Sequence, residues 1–213
     1  MNHAAKKTSF ADLTPVLPKS TVILSGKEVQ YDSLELTGLN FSSIPSDILE
    51  FKNCRLKKCR LSNLKINKLA LVNVILEDCD LANLEVKEAY VKKVDFKKCR
   101  LTGLIANESI FGELSFNNCQ LKLAQFRFSK FREVIFTNCP LNEADFYSAQ
   151  LIRTVFDHCD LEKTQMAKTK NLGTDWQTSN IAGVCIGLED LKGVTISRAQ
   201  IIDLAWLLGV TIN

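Results

Sequence analysis

From residue 51 to residue 166, every fifth side chain is apolar, which makes 24 consecutive positions without an exception. Because 46% of the chain is apolar, chance produces such a run with a probability on the order of 10⁻⁸. The residue two positions before each of these is never charged. Two of every five side chains are therefore predicted to point inward, at a period that fits neither an α-helix nor a β-strand.

A period of five predicts a solenoid with a square cross-section, in which each five-residue unit forms one side and four units make one coil. The register runs from Tyr31 to Asp190, which is enough for eight coils, with Ser46 and Asn171 as misfits at central positions. At about 4.8 Å per coil the rod is about 40 Å long. We predict three regions: an N-terminal lead-in and cap over 1–30, the β-helix over 31–190, and a C-terminal cap and dimerisation helix over 191–213.

The two ends of the chain depart from the repeat. Residues 1–20 are polar and interrupted by proline, and the segment Thr21–Val29 predicts a short strand that caps the edge of the first coil. Near the C-terminus, Ser197 followed by Gln200 is typical of a capping box, and Gly209 is a helix stop before a short strand over 210–212.

The predicted C-terminal helix is apolar on nearly every side, which is more than a lid on one coil needs. We therefore expect it both to cap the rod and to join two chains in a head-to-head homodimer. The candidate dimer interface is Ile201, Leu204, Ala205 and Leu208.

The eight cysteines follow the repeat, since six of them recur at every fourth unit, always at an inward position: Cys59, Cys79, Cys99, Cys119, Cys139 and Cys159. Adjacent coils would bring some of them within disulfide distance, but their inward position favours a role as small buried hydrophobes. Neither a Cys-x-x-Cys pair nor a His cluster indicates a metal site. Cys185 lies out of register and is the candidate exposed thiol.

Charge is nearly balanced overall, at +3, but it is distributed unevenly. Residues 52–100 contain 13 basic and 6 acidic side chains, a net of +7, whereas residues 133–190 contain 9 acidic and 4 basic ones, a net of −5. In the basic half the charges alternate from one coil to the next in three columns: Lys57, Glu77 and Lys97; Lys58, Asp78 and Lys98; and Arg60, Asp80 and Arg100. These columns predict ion pairs between adjacent coils rather than a nucleic-acid site.

The sequence predicts no enzyme, because a filled interior offers no cleft for a nucleophile and a base. It predicts no cofactor and no metal. No apolar run approaches the ~20 residues of a membrane span, and the N-terminus has no signal-peptide core, so we expect a cytoplasmic protein without a membrane partner.

The units Cys54–Lys58, Cys79–Asn83 and Cys159–Lys163 resemble those of pentapeptide-repeat proteins. The resemblance implies an all-β solenoid, a right-handed quadrilateral β-helix of about eight coils with a short C-terminal capping and dimerisation helix. The ending of the chain, from Asp190 to Ile212, is similar to that of the Qnr and MfpA-type quinolone-resistance proteins within this family.

The resemblance to those proteins implies a dimeric rod that binds DNA gyrase or topoisomerase IV as a DNA mimic and protects them from quinolones, without binding nucleic acid itself. The alternative is a generic protein–protein interaction scaffold with another partner. The candidate topoisomerase-binding surface is acidic: Glu143, Asp145, Asp157, Asp160 and Glu162.

Overall fold

The computed structural model describes residues 21–25, 27–41 and 47–209. For residues 21–25 and Leu208 it describes the backbone only. The described chain is a parallel β-solenoid of about eight coils with one short helix near its C-terminus, which confirms the predicted fold class. The expectations for residues 1–20, for Ser46 and for the strand over 210–212 lie outside the described residues.

The solenoid is built from short strands that recur once or twice per coil. They are β1 Thr21–Ser25, β2 Glu28–Asp32, β3 Glu35–Thr37, β4 Ile48–Lys52, β5 Arg55–Lys57, β6 Lys65–Glu77, β7 Glu85–Lys97, β8 Ile110–Asn117, β9 Lys130–Thr137, β10 Gln150–Asp157, β11 Lys170–Leu172, β12 Thr174–Asp175 and β13 Val194–Thr195. Helix α1 covers Gln200–Leu204, and 3₁₀ turns cover Leu188–Leu191 and Ala205–Leu208.

Parallel pairing joins each unit to the unit four places later in the chain, as in the pairs Leu71↔Val91 and Phe111↔Phe131. Side chains at equivalent positions therefore stack along the rod. All 24 central residues between 51 and 166 are at most 4% exposed. They form four columns, which name the faces of the rod: face A (Phe51, Leu71, Val91, Phe111, Phe131, Leu151), face B (Leu56, Leu76, Phe96, Phe116, Phe136, Phe156), face C (Leu61, Leu81, Leu101, Leu121, Leu141, Leu161) and face D (Ile66, Val86, Ala106, Phe126, Phe146, Met166).

The cysteine column lies inside the rod as predicted. Seven of the eight thiols are buried, while Cys185 is exposed. Each sulfur of the column lies near backbone carbonyls, as Cys79 Sγ does at 3.4 Å from the oxygen of Leu56. Burial raises the pKa of the Cys119 thiol, so this side chain is protonated at neutral pH and is a poor nucleophile.

Asn171 occupies a central position that is apolar elsewhere in the column, and the structure shows how the side chain is accommodated. Its Nδ2 donates to Thr169 Oγ1 at 2.9 Å and to the backbone oxygen of Asp190 at 2.7 Å. The buried amide thereby ties the last coil to the 3₁₀ turn that follows it.

Both ends of the described solenoid are covered. Strand β1 pairs antiparallel with β2 at the edge of the first coil. The segment Thr21–Val29, predicted as one strand, is divided between β1, which ends at Ser25, and β2, which begins at Glu28. At the other end, Gln200 Nε2 donates to the backbone oxygens of Trp176 and Ser179, each at 2.7 Å. The predicted reciprocal bonds between Ser197 and Gln200 are present, although α1 itself begins at Gln200, and Gly209 has the left-handed φ of 69° that a helix stop requires.

Candidate protein-binding surface

Three of the five candidate acidic residues lie together on face C or at its edge. Asp160 and Glu162 flank the buried Leu161, and Glu143 lies on the preceding coil, at the corner where face C meets face D. Asp160 is held in place because its carboxylate accepts hydrogen bonds from Asn180 Nδ2, at 2.8 Å, and from the amide of Asn142.

The other two candidates lie on different faces. Asp145 precedes Phe146 on face D and accepts a hydrogen bond from its own loop, from the backbone N–H of Tyr147 at 2.8 Å. Asp157 follows Phe156 on face B and accepts from Thr178 Oγ1 at 3.0 Å. The structure therefore brings three of the five carboxylates to one side of the rod and separates the remaining two.

Basic side chains approach most of these carboxylates. Distances from nitrogen to oxygen are 3.7 Å for Lys122–Glu143, 3.6 Å for Arg127–Asp145 and 3.1 Å for Lys163–Glu162. Such exposed pairs contribute little stability. Their effect is instead to reduce the negative charge that this half of the rod presents.

The charge columns of the basic half also form pairs, in part as predicted. Lys57 and Glu77 lie 3.8 Å apart, and Arg100 contacts Asp80 at 2.8 Å. Burial raises the pKa of Asp80, but hydrogen bonds from Arg100 and neighbouring groups outweigh it, so the net pKa lies below its usual value. Among the described residues no ion pair joins the column of Lys58, Asp78 and Lys98.

Of the four candidate dimer-interface residues, the Leu208 side chain lies outside the described part of the structure, and the other three differ in exposure. Leu204 and Ala205 are buried, at 6% and 9% exposure, and Leu204 belongs to the apolar core of its own chain. Ile201 is 56% exposed, as are Ile202 at 65% and Trp206 at 52%. The apolar surface that remains outside the core is thus a different set from the one that the helical pattern suggests.

The sequence analysis missed one cluster of exposed side chains, on and beside face D. Leu123 and Phe128 occupy the two corners that flank this face on one coil and are 46% and 51% exposed. The rings of Phe128 and Tyr147 meet edge to face at 5.8 Å. The guanidinium of Arg127 lies 5.9 Å and 5.0 Å from the two ring centroids, and Lys168 Nζ lies 5.4 Å from that of Tyr147.

The backbone at Leu123 and Phe128 makes this cluster unusual. Both residues have a left-handed φ of 61°, which costs side chains with a Cβ about 1–2 kcal/mol. Of the 22 non-glycine residues with positive φ in the described chain, these two alone are apolar. A large apolar residue two positions after a central residue, where the other described corners have polar residues or glycine, was the available sequence signal.

A hydrogen bond between Tyr147 and Lys168 lowers the pKa of the tyrosine and raises the pKa of the lysine. Among the described residues no group of three or more His, Cys, Asp and Glu side chains is arranged to hold a metal ion. No described helix has the length and apolar character of a membrane span.

A coil of four five-residue sides, repeated in register along the rod, defines the class of parallel β-solenoid repeat proteins. Two family models identify the family within that class. The model of a pentapeptide repeat region matches residues 49–126, and the model of eight pentapeptide-repeat copies matches residues 119–157. Together the two matches span more than half of the chain. The chain belongs to the pentapeptide-repeat family.

No curated protein matches the chain significantly. Among solved structures, it is similar to a trypsin-treated form of QnrB1, described as a plasmid-mediated fluoroquinolone resistance protein, at 16% identity and a TM-score of 0.30 over 85% of this chain and 98% of that one. It is also similar to HetL, a pentapeptide repeat protein involved in heterocyst differentiation regulation in the cyanobacterium Nostoc, at 16% identity and a TM-score of 0.29 over 79% and 90%. Likenesses at these values carry no argument about function.

Proposed function

We propose that this chain is a non-enzymatic interaction protein that binds a type II DNA topoisomerase, either DNA gyrase or topoisomerase IV, through the acidic half of its rod. Central side chains fill the interior between residues 51 and 166. Functional groups must therefore act from the faces and the ends of the rod, which is the situation of a binding protein rather than of an enzyme with a cleft.

The observation that carries this proposal is the placement of Glu143, Asp160 and Glu162 on one side of a rigid stack. Asp160 and Glu162 lie on one coil and Glu143 on the coil before it, and adjacent coils are about 4.8 Å apart, so three negative charges are presented within a short length of the rod. A channel that binds duplex DNA is positively charged and accepts such a surface in place of phosphates. The resemblance of the segment Asp190–Ile212 to Qnr sequences supports the choice of partner.

Dimerisation through the C-terminal end is part of the proposal. Exposed apolar surface lies on α1 and on the 3₁₀ turn after it, at Ile201, Ile202 and Trp206. A two-fold axis through this surface would place both acidic halves at the centre of a longer rod. Ile201 is the residue that this exposed set shares with the interface suggested by the sequence. Protection of the topoisomerase from quinolones follows if the bound rod displaces DNA from the cleavage complex.

A supercoiling assay with purified gyrase tests the acidic surface. The wild-type protein is expected to inhibit supercoiling or to relieve its inhibition by a quinolone, and Glu143→Lys with Glu162→Lys is expected to weaken the effect at least tenfold. The matched control is Glu35→Lys with Glu85→Lys, which changes the net charge equally in the other half of the rod and should leave the effect unchanged. A wild-type protein without effect on gyrase or topoisomerase IV would remove the proposal.

The pairing of the acidic residues with cations favours a second candidate function. Because Lys122, Arg127 and Lys163 lie within 3.7 Å of candidate carboxylates, the acidic half is less negative than its composition suggests. A scaffold for a different protein partner accounts for such a mixed surface. It predicts no effect in the supercoiling assay.

A further inference from the structure

We infer that face B carries a docking site for the first 20 residues of this same chain, on the outward side of Ile75, Asp95 and Ser115. We call these three residues the face B column. A segment bound there covers three successive coils and withholds this part of face B from other partners. The inference does not depend on the proposed topoisomerase partner.

The first argument is the burial of the face B column. Each member lies immediately before a central residue, so its side chain points away from the interior of the rod. Ile75 is 6% exposed, Asp95 is 0% and Ser115 is 4%. Between residues 50 and 185, all of which the structure describes, no other residue at this position of the repeat is buried, on any of the four faces. The sheet surface alone therefore does not bury this position, and a further layer must lie over the column.

Aspartate allows a direct comparison between faces. Asp80 and Asp145 occupy the equivalent position on faces C and D, and each keeps 27% of its side chain exposed. Asp95 has no exposed surface. A carboxylate that leaves water needs hydrogen-bond donors and favours a nearby cation. A covering peptide can supply both, from its backbone and from its lysines.

The described hydrogen bonds of the column run along the sheet rather than over it. Ser115 Oγ donates to Asp95 Oδ1 at 2.6 Å, and Asn117 Nδ2 donates to Ser115 Oγ at 3.1 Å. These bonds join neighbours within the same outward layer of side chains. The next two residues at this position of face B, Ile135 and Val155, are partly exposed. The cover therefore extends over the coils of the face B column and not over the coils that follow.

The position of β1 makes the N-terminal segment the natural cover. Thr21, the first residue of β1, pairs with Asp32, which is adjacent to the corner at Ser33 where face A meets face B. The 20 residues before Thr21 can span up to about 65 Å when extended. Ser115 lies four coils further along the rod, which is about 19 Å. The segment is therefore long enough to cross the whole column.

The composition of the segment suits the column. Phe10 and Leu13 offer apolar side chains to cover Ile75, and Lys7 offers a cation to Asp95. Because the segment belongs to the same chain, its effective concentration at face B is high, and weak contacts are enough to hold it there.

The test is the reactivity of a thiol placed in the column of the full-length chain, with Cys185→Ser removing the native exposed thiol. Ser115→Cys is nearly isosteric, and Ile75→Cys provides a second probe. Val155→Cys is the matched control on the same face, two coils further on. Both probes should react with a maleimide at least tenfold more slowly than the control, as followed by mass spectrometry.

Substitutions in the segment then decide what protects the thiol. Phe10→Ser with Leu13→Ser removes apolar contacts and should raise the labelling rate of Ser115→Cys at least tenfold, without changing that of the control position. Asn2→Ser with His3→Ser changes two polar residues of the same segment and should leave both rates unchanged.

Three results would overturn the inference. Labelling of both probes as fast as the control position would show that the column is open to solvent. A slow rate that persists with Phe10→Ser and Leu13→Ser would show that the N-terminal segment is not the cover. Protection that falls as the protein is diluted would assign the cover to a second copy of the chain. None of these results bears on binding to gyrase or topoisomerase IV, so the proposed function is tested separately.

Discussion

The stacked phenylalanines of face B allow the packing of the rod to be tested quantitatively. Phe136 lies between Phe116, at 4.7 Å and 4°, and Phe156, at 4.9 Å and 3° between ring planes. Phe96 has one stacked neighbour, Phe116, at 4.6 Å. Each such pair contributes about 0.5–1.5 kcal/mol beyond the area it buries. Phe136 also contacts the rings of Phe131 and Phe146, each at 6.4 Å between centroids. Phe136→Leu therefore removes two stacked pairs and two more distant ring contacts, whereas Phe96→Leu removes one stacked pair.

We expect Phe136→Leu to destabilise the chain by at least about 1 kcal/mol more than Phe96→Leu does, because it removes one more stacked pair and two more distant ring contacts. The assay is unfolding in guanidinium chloride followed by far-ultraviolet circular dichroism, with the midpoints compared at equal slopes, because repeat proteins need not unfold in two states. The control Tyr90→Leu, at a ring that is 41% exposed, should remain within about 0.5 kcal/mol of the wild type. Equal midpoints for Phe136→Leu and Phe96→Leu would refute the stacking argument.

Three further predictions concern the thiols, the charge columns and the C-terminus. In the native protein one cysteine, Cys185, should react rapidly with a maleimide and the other seven only after unfolding; rapid reaction of a second thiol in mass spectrometry would contradict this. Asp80→Asn should cost at most about 1 kcal/mol at pH 7, and because the folded pKa of Asp80 is lowered by Arg100, the difference from the wild type should shrink as the pH falls below about 4; thermal melts at pH 7 and pH 3 measure it, and a difference that grows at low pH would count against the pairing. Ile202→Arg with Trp206→Arg should convert a dimer to a monomer on a sizing column, whereas a wild-type monomer would exclude the C-terminal interface.

The inward half of the structure was predictable from sequence because it follows from one physical rule. A solenoid can bury two side chains of every five only if the same positions are apolar in every unit, so the period locates the core, the cysteine column and Cys185 directly. The cap was predictable where local chemistry defines it, as at Ser197, Gln200 and Gly209.

The outer surface was less predictable, since it depends on which face a residue occupies and how far its side chain reaches. Asp145 lies on face D, Asp157 on face B and Glu162 on face C, although all three belong to one acidic stretch of sequence. The contacts of these carboxylates with Arg127 and Lys163 depend on side-chain conformations that no repeat specifies.

Helix α1 shows the same limit at the end of the rod. The helix has five residues and apolar side chains on most of its sides, so the pattern alone does not tell which of them face the last coil. The structure assigns that side to Leu204 and Ala205. The exposed residues Leu123 and Phe128 were not predicted because the pattern was read only at the inward positions, whereas both lie at corners.

The central claim is that this rod occupies the DNA-binding channel of a type II topoisomerase. The most direct measurement is binding of the purified protein to reconstituted gyrase and topoisomerase IV, with and without duplex DNA as competitor. The proposal predicts saturable binding to at least one of the two enzymes that duplex DNA abolishes. Absence of binding to both enzymes, or binding that saturating DNA leaves unchanged, would contradict it.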